Sequence, residues 1–190
     1  MAKYLDENFD EHEQLPRDLK VYFEHKKNKN VNVYVFNNLK QSIPIRTGEK
    51  DWDLNGDYYR FRLAFHFSYM THLKWSPVIR DIMGIKRRSE RVFEKAIDGP
   101  RQLIIEEGIC SYIFSESKKY DNFYNYSTIP DYILKTVLRF SNYTEIANLK
   151  SDIWELSILE GFKIWKQLAN NKGGLISLDL DNAKIKYLEV

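Results

Sequence analysis

Residues 151–190 change their hydrophobic period once, and that change restricts the folds open to the whole chain. Trp154, Ile158, Phe162, Trp165 and Ala169 recur at spacings of three and four, as on a helix with one buried face. Ser151 can cap its start. Asn171-Lys172-Gly173-Gly174 suits its end, where a left-handed residue stops a helix. Gly161 lies on the buried stripe and would let a neighbour approach closely. Beyond the glycines the period falls to two. With a turn at Asn182-Ala183, Leu180 faces Ile185 and Leu178 faces Tyr187. On the other side Asp181 then faces Lys184 and Asp179 faces Lys186. Apolar and charge matching select that register together. Asn-Ala is not a favoured turn pair, so a longer loop is the other solution. A helix that runs straight into a hairpin predicts an α+β fold.

Upstream, Val31 to Phe36 is β-branched and aromatic and reads as a strand. In residues 59–69, Tyr59, Phe61, Leu63, Phe65, Phe67 and Tyr69 alternate with Arg60, Arg62, Ala64, His66 and Ser68, which predicts a strand with one buried face. On a helix the same aromatics would scatter around the circumference. Ser89 to Ile97 reads as a short helix stopped by Asp98-Gly99-Pro100. A helix from Pro100 to about Ser117 is apolar round most of its girth, as a central helix is. Pro130-Asp131 opens another, with Ile133, Leu134, Val137 and Leu138 as its core stripe. The expected architecture is one α+β domain over 21–190. It has a helical core of about four helices, N-terminal strands including 59–69 and the C-terminal β-hairpin. The acidic stretch 1–20 precedes it as the segment most prone to mobility.

Composition narrows the setting. Of the 190 residues, 43% are hydrophobic and 15% aromatic, enough for one well-packed core. Cys110 is the single cysteine, so neither an intrachain disulfide nor a cysteine zinc site can form. The polar, acidic start is unlike a signal peptide. No apolar run approaches the ~20 residues of a membrane span. These features predict a cytoplasmic protein with no membrane partner. The abundance of Lys, Asn, Ile and Tyr points to an AT-rich bacterial or phage coding sequence. A net charge of +2 neither requires nor forbids a nucleic-acid partner.

Three groups of residues carry candidate chemistry. Asp51, Asp53, Asn55 and Asp57, with Gly56 at the sixth place, resemble the opening of an EF-hand calcium loop. Arg62 stands where that loop needs a bidentate glutamate and would repel Ca²⁺, so a plain Asp/Gly turn with no cofactor is the competing reading. Arg60 and His66 resemble the Arg-x(4–6)-His pair of HEPN-type ribonucleases, which acts on RNA at a dimer interface. That motif sits on a helix, whereas the alternation here predicts a strand. On a strand, Arg60, Arg62 and His66 would share a basic face suited to phosphates.

Glu106 falls amid the apolar arc of the 100–117 helix, with Gln102, Leu103, Ile109 and Cys110 as its neighbours. A buried carboxylate needs a partner, and Arg60, Arg62 or His66 could supply it. The pair would then be either an active-site group or a structural ion pair. Cys110 reads as a small core residue. Arg87, Arg88 and Arg91 head a basic cluster that would touch nucleic acid or form a solvated face balanced by Glu90, Glu94 and Asp98.

Two functions follow. One is a nucleic-acid-associated, nuclease-like protein of phage–host conflict, with His66, Glu106 and Arg60 catalytic and Arg62, Arg87, Arg88 and Arg91 binding. The other is a non-catalytic module that acts through another protein or through self-association, as adaptor, inhibitor or subunit.

Overall fold

A computed structural model describes residues 4–26, 31–36, 57–189 and, as backbone, 42–49. Strands β1 (Asp18–His25), β2 (Val31–Phe36), β3 (Ser42–Glu49), β4 (Gly173–Asp179) and β5 (Lys184–Leu188) form one antiparallel sheet in the order β3-β2-β1-β4-β5. Five α-helices lie among the described residues: α1 (Leu63–Leu73), α2 (Pro77–Met83), α3 (Pro100–Ser117), α4 (Asp131–Ser141) and α5 (Ser151–Asn171). The α+β expectation holds, with strands at the N-terminus and a hairpin at the C-terminus.

The sheet centres on β1, which the sequence reading passed over. Its Leu19, Val21 and Phe23 are buried and alternate with exposed residues, and the strand bonds to β2 on one side and β4 on the other. The N-terminal strand thereby clamps the C-terminal hairpin to the domain. Ahead of it, the acidic segment makes inward contacts through Tyr4, Asp6, Glu13 and Leu15, all buried.

Residues 59–69 are not a strand. Tyr59–Phe61 form a 3₁₀ turn, and α1 begins at Leu63. Every residue of α1 is buried, including His66, Ser68, Thr71 and His72. A helix enclosed on all sides needs no polar face, so its sequence carries no 3.6-residue period to detect. The alternation of aromatics is a by-product of filling space all round. Helix α1, rather than α3, occupies the centre. The inner face of α3 buries Glu106, Ile109, Cys110, Ile113 and Phe114, while Ile104 is 71% exposed. Phe93–Ile97 is a π-helical turn, and the chain turns there before Pro100, as its Asp-Gly-Pro signal predicts.

Helix α5 packs along α1 through Gly161, as its position on the stripe suggests. A Cβ there would lie 3.2 Å from Phe65 Cδ1 and 3.3 Å from Ser68 Cβ. Ser68 Oγ donates to the Ser157 carbonyl at 2.7 Å across the same contact. Lys172 takes the left-handed conformation that ends α5, at φ 54°. The hairpin forms, but in another register. Leu178 faces Ile185 and Asp179 faces Lys184, with a four-residue loop over 180–183. Asp179 decides this. Its carboxylate accepts the Asn182 backbone N–H at 3.0 Å and the Asn182 amide at 2.7 Å, an arrangement a two-residue turn would not allow. Leu180, fully buried, donates its N–H to Arg17 O at 2.8 Å.

Candidate functional site

His66, Glu106 and Ser76 meet where α1, α2 and α3 converge. Glu106 comes from the buried arc of α3 and His66 from the second turn of α1. His66 Nδ1 lies 2.8 Å from Glu106 Oε1, and both side chains are 0% exposed. The carboxylate also accepts the Ser76 hydroxyl at 2.6 Å and the Val78 N–H at 2.8 Å. Ser76 in turn caps α2 by accepting from Ile79 N at 3.1 Å, and Pro77 starts that helix. Glu106 thus satisfies two donors at the head of α2 while pairing with α1.

The second imidazole nitrogen is also buried. His66 Nε2 is buried without a hydrogen bond of normal length, and Glu107 Oε2 lies 3.6 Å away. The same oxygen is 3.8 Å from Arg62 Nε. Arg62 lies over the Tyr59 ring at 5.4 Å, and the Tyr59 hydroxyl meets Ser111 Oγ at 3.0 Å. Glu107 and Arg62 therefore stand between the imidazole and solvent. The Cys110 thiol, one turn along from Glu106, lies beside the imidazole, and Tyr69 meets it edge-on at 5.9 Å. Burial alone would lower the His66 pKa, but the adjoining Glu106 carboxylate outweighs it and holds the pKa well above the usual histidine value.

The structure thus joins His66 to Glu106, as the sequence suggested, and adds Ser76, Glu107 and Cys110. It does not bring in Arg60. That guanidinium is 8% exposed and lies over the Tyr58 ring at 4.6 Å. The basic strand face falls with the strand. The arginine cluster divides as well. Arg87 is wholly buried, bonded to Asp98 at 2.6 and 3.0 Å and to Glu145 at 2.8 and 3.0 Å. Only Arg88 and Arg91 of that group are exposed. A second buried network joins Asp6 to Arg80 at 2.5 Å, to Arg17 at 2.7 Å and to Leu15 N at 2.7 Å.

Asp51, Asp53 and Asn55 lie outside the described residues. Asp57, the last of that set, accepts from Lys118 Nζ and Tyr59 N, each at 3.1 Å. Among the described residues no three His, Cys, Asp or Glu side chains group as metal ligands. No described helix is long and apolar enough to cross a membrane.

Glu107 and Ser76 were missed. The Ser76-Pro77 pair is a helix-start signal that was legible. Glu107 gave no signal of its own, because its importance comes from α1 lying across it.

Fold and site together define an α+β domain with a buried histidine–carboxylate pair at a three-helix junction. The family model of the MazG C-terminal domain matches residues 1–190, and the chain belongs to that family. No curated protein and no solved structure matches it.

Proposed function

We propose that the chain is a nucleotide-linked binding domain of the MazG kind, in which the His66–Glu106 pair braces the fold and ligands are met elsewhere on the surface. The nucleotide link is supported by the family. The brace is supported by one observation: both members of the pair are fully enclosed, and the carboxylate already holds three hydrogen-bond donors. A general acid or base must reach the atom it serves within about 3 Å, and no face of this pair is open.

A second reading keeps the nuclease-like, phage–host conflict role. It is favoured by Glu107 Oε2 lying between His66 Nε2 and Arg62 Nε. Rotation of these two side chains would uncover an imidazolium already positioned by a carboxylate, the arrangement of a general acid next to a phosphate-binding arginine. The other module role, docking onto another protein or a second copy, is tested by light scattering and co-purification with the host's proteins.

One experiment separates the two nucleotide readings. Binding and turnover of nucleoside triphosphates and of single-stranded RNA are measured for the wild type, His66→Asn and Glu107→Ala, with circular dichroism as the check on folding. The brace reading expects nucleotide binding to persist in every folded variant, with no His66-dependent turnover. Turnover that Glu107→Ala alters and His66→Asn abolishes in a folded protein would establish the catalytic reading instead.

A further inference from the structure

A groove lies between residues 122–126 and the outer face of α5. It encloses about 590 Å³, within the range of small-ligand pockets. Its origin is an unusual stretch of backbone. Asp121, Asn122 and Phe123 run consecutively through the left-handed region, at φ 48°, 51° and 56°, and Asn125 returns there at φ 60°. L-residues adopt this conformation singly, at about 1–2 kcal/mol each, and seldom in succession. The stretch is held by Phe123, which buries its ring edge-on against Phe162 at 5.1 Å, and by the Ser117 hydroxyl bonded to Asn122 Oδ1 at 3.1 Å. Strain kept in a surface loop that walls a pocket points to use of that pocket.

The strained turn lifts Tyr124, Asn125 and Tyr126 over α5. Tyr124 and Tyr126 are exposed at 51% and 45%. Lys166 Nζ lies 3.0 Å from the centre of the Tyr124 ring, and Lys163 projects one turn before it. The Asn125 amide is exposed and makes no hydrogen bond within the described residues. Leu156 continues the apolar floor. Two exposed tyrosine rings, one with Lys166 over a face, two ammonium groups and an exposed amide suit a ligand that joins a flat ring to an anionic chain: a base stacked on tyrosine, its edge met by Asn125 and its phosphates by the lysines. Glu160 is the acidic residue of the lining, bonded to Lys163 at 3.4 Å. An exposed pair of that kind contributes under about 1 kcal/mol and yields readily to a phosphate. Among the described residues, another large groove, between β1, β4 and the end of α5, sets Glu24 and Glu189 against Lys172 and His25 and is less suited to the same ligand.

We infer that this groove binds a nucleoside phosphate, with Tyr124 and Tyr126 stacking the base and Lys163 and Lys166 holding the phosphates. The assignment rests on the nucleotide reading of the domain and names its site. The test is isothermal titration of the full chain with ATP, adenosine and inorganic triphosphate. ATP is expected to bind more tightly than either fragment. Tyr124→Ala and Lys166→Ala should each weaken ATP at least tenfold, Tyr124→Phe should leave it unchanged, and Lys172→Ala, at the other groove, should have no effect. Tight ATP binding that none of the groove variants alters would overturn the site while the nucleotide reading stands. No binding of ATP or other nucleoside triphosphates to the folded wild type would overturn both. A preference for single-stranded RNA with no measurable affinity for ATP would overturn the mononucleotide assignment.

Discussion

Glu106→Ala should be among the most destabilising single changes in this domain. The substitution strands three donors at once: the His66 imidazolium, the Ser76 hydroxyl and the Val78 N–H, each 2.6–2.8 Å from the lost carboxylate. A hydrogen bond to a buried charged group contributes about 1.5–3 kcal/mol. Breaking a buried ion pair by removing one member costs about 3–5 kcal/mol. These overlap, because the His66 bond belongs to the pair and the orphaned imidazolium can release its proton. The working value is about 4 kcal/mol, set against a total stability of roughly 5–15 kcal/mol. Glu106→Gln keeps the shape and one acceptor but turns the other oxygen into a donor, and should lose about 2 kcal/mol. Urea unfolding followed by tryptophan fluorescence reads both, since Trp75 and Trp154 are buried 6.4 Å apart in the same core. His66→Leu combined with Glu106→Leu removes both charges and should cost less than the two single changes added together. A loss under about 1 kcal/mol for Glu106→Ala, or strict additivity in the double variant, would refute the brace.

Other expectations follow from the buried groups. His72, pushed down to about 4 by burial and then by Lys74, folds neutral, so stability should rise with pH from 4 to 6.5, by about 3 kcal/mol from this group. His66 acts in the opposite sense. Its raised pKa gives stability that is complete below about 6.5 and lost as pH climbs through the folded value, so stability should peak near pH 6.5. His72→Leu should flatten the acid limb of a stability–pH curve and His66→Asn the alkaline limb; unchanged limbs would contradict the assignment. Asp6→Asn, which leaves Arg80 buried beside a neutral amide, should lower the urea midpoint by an amount equivalent to about 3 kcal/mol. Gly161→Val would press on Phe65 and Ser68 and should cost about 2 kcal/mol by thermal melting, whereas Gly161→Ala should come near to neutral as helix propensity offsets the crowding.

What the sequence disclosed depended on whether an element has an inside and an outside. Helices α4 and α5 each present one face to solvent, and their stripes were legible at once. So was the existence of the hairpin. Its register was not, because Asp179 bonds to Asn182 within the loop, a local preference that cross-strand matching does not include. Helix α1 has no outside, and its aromatic alternation therefore imitated a strand. That error also moved Arg60 and Arg62 onto a basic face the fold does not build. Glu106 was legible as a buried carboxylate from helix geometry alone, and His66 was among its three suggested partners. The choice between them required the position of α1, which no local pattern encodes.

The node also answers a question that the apolar pattern of α3 leaves open. Leu103, Ile104 and Ile105 lie on one turn, and hydrophobicity alone does not say which should face the core. Ile104 points out at 71% exposure, while Leu103 and Ile105 are half-buried. Glu106 is a candidate for what sets the rotation, because in the observed setting its carboxylate meets His66 Nδ1, Ser76 Oγ and Val78 N together. Buried ion pairs are a poor source of net stability, but a group that must be satisfied by partners on two other helices penalises every alternative register. If that is its role, the leucine double variant should keep much of its stability and lose definition in α3. A cysteine placed at Ile104 should then react with a thiol reagent more slowly than in the parent protein, as that face samples the interior. An unchanged rate would mean that packing, not the carboxylate, sets the helix.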